Sequence, residues 1–459
     1  MYTLTSFVSQ FGNILVLPLI WNGLQIEDFA VIGIIEASTP FLSCVLSLSS
    51  EQYLTRFYYA WNDDERLSKI GKNLTLCFLS VFLIGLFVMA VLLIVSLSVS
   101  LEDVNYFVYG LLHIIFFSTF VFPNSLFRIA NNTSGYIAFT LSLFFVRLLL
   151  NYIFTISLGW GLDGYIISNA LSSFLFFVII YIYLFNSFRF TIDRVFFKES
   201  LRFTLPYIPT NLYGNISTLT DRLVLGVYGG KFEVGLLTLG QKIASVTGSL
   251  SQAIKLGYVP YISEFISREK YSLANFNMYR MMFVAPISVL SLFLVLFGVE
   301  LLSLIGMDVM GVNKYLYLFL FTVYLNSNNL FFSPGLYLSK RSDKMWIPNF
   351  FQLVIRFIFY YLLVPTFMLK GVILASLLAS LVSFIYNYIL SEKYFKLNLG
   401  FLSIGLQFLP FLFAMGMHFL GIDIIDISIS WKVLVMCLYL LILWFFLFNN
   451  YEKQHTKTA

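Results

Sequence analysis

The sequence predicts an all-α integral membrane protein of about fourteen transmembrane helices, and three observations predict it. Hydrophobic residues fill 59% of the 459 positions and charged residues only 11%, with a mean hydropathy of +0.86. A soluble domain carries roughly 25% charged residues. Apolar runs of about twenty residues recur from one end to the other, each long enough to cross a hydrocarbon core roughly 30 Å thick. Stretches such as 81–96 lack the strict alternation of a membrane barrel. Their backbone groups must therefore be satisfied within each segment, as in a helix.

The spans fall at 4–24, 28–50, 72–98, 104–127, 135–158, 163–186, 202–228, 233–256, 278–304, 313–337, 345–368, 371–391, 400–421 and 431–449. Basic residues orient them. Of the 28 Lys and Arg, Lys231, Lys314, Lys370 and Lys432 lie in one alternate set of loops, and Arg147, Arg222, Lys242 and Arg356 lie within spans. The other 20 share the opposite set of loops. The positive-inside rule makes that set cytoplasmic, so both termini are expected there. No basic residue precedes the first apolar run and no small-residue cleavage site closes it, so the first span reads as an uncleaved anchor. The loops are too short to hold a folded domain.

The first six spans and the next six share ordered anchors. Phe29-Ala30 matches Val234-Gly235, Val104-Asn105 matches Val312-Asn313, Pro123 matches Pro334, Arg147 matches Arg356 and Gly164 matches Gly371, at offsets between 205 and 211. Six is even, so the repeat is parallel, about an axis along the membrane normal. The expected domains are an N-lobe at 1–195, a C-lobe at 196–395 and two further helices with a cytoplasmic tail at 396–459. Such lobes rock about a substrate site in transporters.

Polar residues inside spans are expensive and mark function or packing. Glu36, Thr39, Ser43 and Ser47 share one face of the second span, and Gln241, Ser245, Gly248 and Gln252 share one face of the eighth. Both faces are candidates for the lining of a wet cavity, with a helix-packing stripe as the alternative. Arg147 and Arg356 sit near mid-span, where an arginine costs roughly 3 kcal/mol or more. Each either meets an anionic headgroup through its forked guanidinium or ties helices within its lobe. Lys242 stands beside the cavity face, and Asp221-Arg222 forms a local acid–base pair. Glu36 either pairs with one of these bases or binds the proton or sodium ion that drives transport. Of these six charges four are positive, which suits an anionic cargo.

Asn326, Asn328 and Asn329 before Pro334, and Pro206 and Pro209 with Asn211 and Asn215, mark kinks. Cys44, Cys77 and Cys437, like His113, His418 and His455, are too scattered for a metal site, and Asp63-Asp64-Glu65 reads as a solvated loop. No phosphate-cradling glycine loop occurs. No enzyme activity and no cofactor is expected, only a proton or sodium gradient.

At 201–245 the chain resembles a known family. Leu201 to Pro209, Thr220-Asp221-Arg222 through Gly226, Glu233 to Gly235 and Gln241 to Ser245 are similar to the seventh and eighth spans of the Wzx-type O-antigen flippases. These belong to the polysaccharide-transport branch of the multidrug/oligosaccharidyl-lipid/polysaccharide exporter superfamily. The resemblance implies a two-lobed fold with a cationic cavity in a bacterial inner membrane. It implies an undecaprenyl-pyrophosphate-linked oligosaccharide as cargo, flipped to the periplasmic leaflet by ion-coupled alternating access. Glu36, Arg147, Arg222, Gln241, Lys242 and Arg356 would then bind substrate, and Glu36 or Asp221 would couple the ion. Membrane lipids and a polysaccharide polymerase complex are the expected partners. Ala30 departs from the family's usual glycine, and the basic N-terminal tail is missing. The rivals are a multidrug exporter of the same superfamily, which would carry mid-span acids, and a peptidoglycan-precursor flippase. A polymerase or ligase would need a long external loop.

Overall fold

The computed structural model describes residues 17–18, 20–98, 104–267, 273–304, 311–338, 347–394, 401–420 and 424–455, and no strand occurs among them. Over the described residues, each predicted span from the second to the fourteenth overlaps helical structure, with breaks after Leu46, Ser118 and Thr204. The first span, 4–24, falls mostly on residues outside the described ones. So do Arg268, Lys270, Lys340, Arg341, Lys344, Lys396 and Lys457, which the orientation argument counted. Eight described helices are long and apolar enough to cross a membrane. Two long helical stretches each hold two helices joined through one non-helical residue. The breaks are Gly230, at φ 78°, and Met368, at φ 45°.

Contacts divide the chain into two compact units, Met1–Gly235 and Leu236–Ala459. The repeat-based lobe boundary at 195/196 stands as a proposal beside this division. The first unit contains α1 (Asp28–Leu46), α2 (Ser50–Phe57), α3 (Asp63–Ser98), α4 (Val104–Ser118), α5 (Val121–Ile129), α6 (Thr133–Asn151), α7 (Gly161–Ser187) and α8 (Arg194–Thr204). It ends in the leading part of α9 (Tyr207–Ser267). α4 packs between α1 and α7, and α6 packs on α7. The faces in contact are small: Gly164, Ser168 and Ser172 recur every four residues along α7, as do Tyr165, Asn169 and Ser173, and all are buried. Without lipid-excluding hydrophobic force between helices, such close approach is what holds them.

α2 and α8 are short amphipathic helices tied together by aromatic rings. Tyr53 packs at a tilt on Phe57 and edge-on against Phe196 and Phe203, and its hydroxyl donates to Glu199 Oε1 at 3.0 Å. Asp193 caps α8, accepting from the N–H groups of Val195 at 3.0 Å and Phe196 at 3.1 Å. The same carboxylate meets Lys72 Nζ at 2.8 Å and so fastens α8 to α3.

The second unit holds the rest of α9, then α10 (Leu273–Leu304), α11 (Leu316–Leu338), α12 (Ile347–Tyr394), α13 (Phe401–Phe419) and α14 (Ile429–His455). α10 is its hub, packing on α11, α13 and α14. Two charges read from sequence as loop residues are buried here instead. Lys432 is fully buried and donates to Glu300 Oε1, pinning α14 to α10. Arg280 is also fully buried and reaches Gln407 Oε1 of α13 at 3.4 Å. The asparagine-rich stretch of α11 is likewise bonded: Asn326 accepts from Gln352, Asn328 donates to Tyr324 O, and Asn329 donates to Ser383 Oγ. The Pro334 side chain lies outside the described residues.

The two units repeat one device. A Cβ on Gly164 would stand 2.6 Å from the Phe154 carbonyl, and one on Gly371 would stand 2.5 Å from the Leu363 carbonyl. Each glycine lets a helix fold back against the arginine-bearing helix before it. The obstacle is backbone, which cannot rotate away. Gly164→Ala or Gly371→Ala should each destabilise by about 1–3 kcal/mol, read as a lower thermal midpoint in detergent. An unchanged midpoint would show that the turn yields.

Asp193 carries a pH signature. The hydrogen bond from Lys72, then those from the α8 amides, hold its carboxyl below the usual carboxylate range. Its contribution is thus fully present above the ordinary value of about 3.9 and fades as pH falls through the lowered folded value. Asp193→Ala should melt earlier than wild type at neutral pH, and the gap should close toward strong acid.

Candidate functional site

The polar centre of the first unit is built by four helices. Glu36 lies on α1 four residues before Pro40, which removes the amide that would otherwise bond the Glu36 carbonyl. Gly110 of α4 lets that segment come close, since a Cβ there would meet Ile35 at 2.8 Å. One turn farther along α4 stands His113, fully enclosed. α6 brings Arg147 and Asn151 on successive turns and then changes to a π-helical stretch, Tyr152–Ser157. Such bulges interrupt regular pairing and recur at functional positions. α7 supplies Tyr165, Ser168, Asn169 and Ser173.

Asn169 is the junction. Its side-chain oxygen accepts from Arg147 Nε. Its backbone oxygen lies 3.0 Å from His113 Nδ1 and accepts from Ser172 Oγ at 3.0 Å. A carbonyl can only accept, so Nδ1 of the imidazole carries the hydrogen and Nε2 is the ring's basic atom. Ser173 Oγ adds a contact to Nδ1 at 2.8 Å. One helix turn away, Ser168 donates to Asn151 Oδ1. Tyr165 donates to Glu36 Oε1 at 3.0 Å.

These groups surround a cavity of ≈ 10 Å³ lined by Ile32, Ile35, Glu36, Gly110, His113, Arg147, Tyr165, Ile166 and Asn169. Roughly 10–15 Å³ is the least that holds one water. The space fits a water or a proton, never a sugar. Its chemistry is a carboxyl group and an arginine in one wall, with an imidazole and a phenol beside them.

The charged residues singled out from sequence thus fall into two groups. Glu36 and Arg147 line the same cavity, and the buried Arg222 of α9 lies in electrostatic reach of Glu36 and of its neighbour Asp221. Arg222 Nη1 also donates to Thr218 O at 2.8 Å. Gln241 and Lys242, both half-buried, and Arg356, buried, belong to the second unit. The Glu36 face divides along its length: Glu36 opens on the cavity, while Ser43 is buried and shares a hydrogen bond of 2.8 Å with Ser118. Its deeper end is a packing stripe. On the eighth span, Gln241 and Gly248 are half-buried and Ser245 and Gln252 exposed.

His113, Tyr165 and Asn169 were not singled out from sequence. The only available signal was the polar-and-small stripe of α7, which reads equally as packing. Tyr165→Phe should remove one donor to a carboxylate away from water and cost about 1–3 kcal/mol. Thermal unfolding in detergent reads it, and a loss below that range would mean a water replaces the phenol.

Residues 1–266 match the model of a family described as "Polysaccharide biosynthesis protein". No curated protein matches the chain in sequence. Among solved structures, an inward-facing multidrug resistance MATE family transporter of the MOP superfamily aligns at a TM-score of 0.61 with 16% identity, covering 84% of this chain and 95% of that one. A MATE transporter in complex with MaD3S aligns at 0.57 with 18% identity, covering 85% and 95%. A MOP superfamily transporter from Pyrococcus furiosus, described as having a binding pocket of reverse polarity, aligns at 0.55 with 16% identity, covering 87% and 95%. At such identities the likeness shows the fold, which is that of the MATE-like transporters.

Proposed function

Because this chain belongs to the polysaccharide biosynthesis protein family and carries a transporter fold, we propose that it is a flippase for a lipid-linked oligosaccharide. The cargo is an undecaprenyl-pyrophosphate-linked repeat unit of O-antigen or capsule, carried from the cytoplasmic to the periplasmic leaflet of a bacterial inner membrane. Its family and its structural neighbours are membrane transporters rather than enzymes. The observation that carries the cargo class is the family match over residues 1–266 on a chain that keeps Arg147, Arg222 and Arg356 inside its helices.

Moving a sugar–pyrophosphate headgroup through hydrocarbon unaided would strip its hydration from charges and hydroxyls. Guanidinium forks replace that hydration for phosphate oxygens, two bonds at a time. Lys242, Gln241 and Arg356 supply further positive or amide groups to the pathway in this reading, and Arg222 another. Glu36, with Asp221 beside Arg222, couples an inward-moving cation to cargo movement. Both termini stay cytoplasmic, membrane lipids surround the polyprenyl tail, and a polysaccharide polymerase complex receives the product.

A strain of the source bacterium lacking the gene should have no surface polymer and should accumulate the lipid-linked repeat unit in the cytoplasmic leaflet, both reversed by restoring the gene. Normal polymer together with altered drug sensitivity would point to multidrug export instead. Arg147→Ala or Arg356→Ala should cut export at least tenfold with normal protein levels in the membrane. Loss of folded protein would assign that arginine to holding its helices together.

A further inference from the structure

The short helix α8 carries a surface that neither the polar cluster nor the proposed transport uses. We infer that its exposed face is a binding site for anionic phospholipid headgroups of the bilayer around the protein. The site is independent of what the cargo is, and position, pattern and charge define it.

α8 is held at the depth where membrane helices end. α7, long and apolar enough to cross a membrane, stops at Ser187, and only residues 188–193 separate it from α8. Those residues pack against α3 where the predicted span 72–98 begins. A Cβ on Gly71 would collide with the Arg189 carbonyl oxygen, and the Thr191 N–H donates to Thr75 Oγ at 3.2 Å. Lys72, between those two contacts, holds Asp193. The Phe190 ring stacks on Phe185 of α7 with centroids 3.8 Å apart. A helix fastened this closely to two span ends stands at the level of the lipid headgroups.

The pattern divides α8 into two faces. Phe196, Ser200 and Thr204 recur every four residues and are buried. Arg194, Lys198 and Arg202 also recur every four residues, and all three are exposed. Such spacing puts each set on its own side of the helix. The inner side is committed to protein, with Tyr53 edge-on against Phe196 and Phe203. Next to the bases, Ile192 is 72% exposed and Val195 79%. Apolar side chains beside a basic row suit the boundary between headgroups and acyl chains.

The charge left facing outward is positive. Residues 188–205 contain two acids, and protein groups hold both: Asp193 meets Lys72 at 2.8 Å, and Glu199 accepts from the Tyr53 hydroxyl at 3.0 Å. The four bases of the same stretch, Arg189, Arg194, Lys198 and Arg202, are exposed. Two acids that open α3 are met within their own helix, Asp63 by Arg66 and Glu65 by Lys69, each at 2.6 Å. Four bases beside a membrane-crossing helix form the kind of cluster that gathers anionic lipids. Guanidinium and ammonium groups bind phosphate oxygens through charge-assisted hydrogen bonds. A phosphatidylcholine headgroup carries its own cation and gains less from the same row.

The test uses purified full-length protein in a neutral detergent, titrated with phosphatidylglycerol or with phosphatidylcholine of the same chains. Retained lipid is counted by native mass spectrometry. Wild type should hold phosphatidylglycerol at least tenfold more tightly than phosphatidylcholine. Arg194→Gln, Lys198→Gln and Arg202→Gln together should remove at least tenfold of that preference, with the thermal midpoint in detergent alone unchanged. Arg194→Lys with Arg202→Lys should keep it. Should the triple variant fail to fold, the single substitutions serve, and each should weaken phosphatidylglycerol at least twofold. Equal retention of both lipids by wild type would make the face an ordinary solvated one and overturn the site, as would a preference undiminished in the variants. Undecaprenyl pyrophosphate is the second probe. If the substitutions weakened it tenfold and left phosphatidylglycerol bound, α8 would be a surface for capturing cargo, and the phospholipid site would fall.

Discussion

Arg147 donates to the side chain of Asn169 while the backbone oxygen of the same residue takes His113 Nδ1–H, and these two bonds hold three helices around a carboxylate. The rest of the first unit follows from what they have to compensate. A guanidinium inside hydrocarbon costs several kcal/mol unless it is paired, so α6 and α7 must lie close enough for a short amide to reach it. That closeness requires the small residues of α7 and the bare Gly164 where the chain turns back. It also requires Gly110 on α4, so that Glu36 can approach from the other side. Remove the charges and the glycines lose their purpose; enlarge the glycines and the charges lose their partners.

The second unit meets the same constraint with different residues. Lys432 has no contact with water, and its ammonium is tolerable because Glu300 lies opposite on α10. Arg280 uses Gln407 in a comparable way. Both contacts attach the last two helices to α10, so the polar groups serve as register marks between surfaces that are otherwise uniformly apolar. Dispersion alone would let such helices slide or rotate. A buried ion pair is a poor source of stability and a good specifier of one arrangement.

The helical membrane class and the placing of Glu36 and Arg147 inside helices were legible in sequence, because each depends on one segment read alone. Apolar length fixes a span, and a mid-span charge stands out against its own background. His113, Tyr165 and Asn169 were not legible. Each is unremarkable within its helix, and the meaning of each comes from a neighbour between 22 and 129 positions away, as in Asn169 with Arg147 or Tyr165 with Glu36. Lys432 and Arg280 were misjudged for a related reason: a hydropathy window places a charge near a span end in the loop, and cannot see a partner on another helix. The Gly164 and Gly371 match was readable, and the structure supplies its cause in two equivalent backbone collisions.

A cavity of ≈ 10 Å³ has a consequence for any coupled transport. Cargo as large as an oligosaccharide headgroup cannot share it with the cation, so the two cannot compete for one set of ligands there. Coupling has to pass through the helices that hold the cluster. Protonating Glu36 would leave Arg147 and Arg222 with one carboxylate fewer, and the bonds of α6, α7 and α9 would then carry a different load. The bonds through Asn169 and Ser168 are ones that fix the spacing of α6 and α7. A change of one charge in a dry interior is large beside the 1–3 kcal/mol of a typical coupling free energy. A small polar cluster that joins three helices can therefore turn a change of charge at Glu36 into a shift of helix packing.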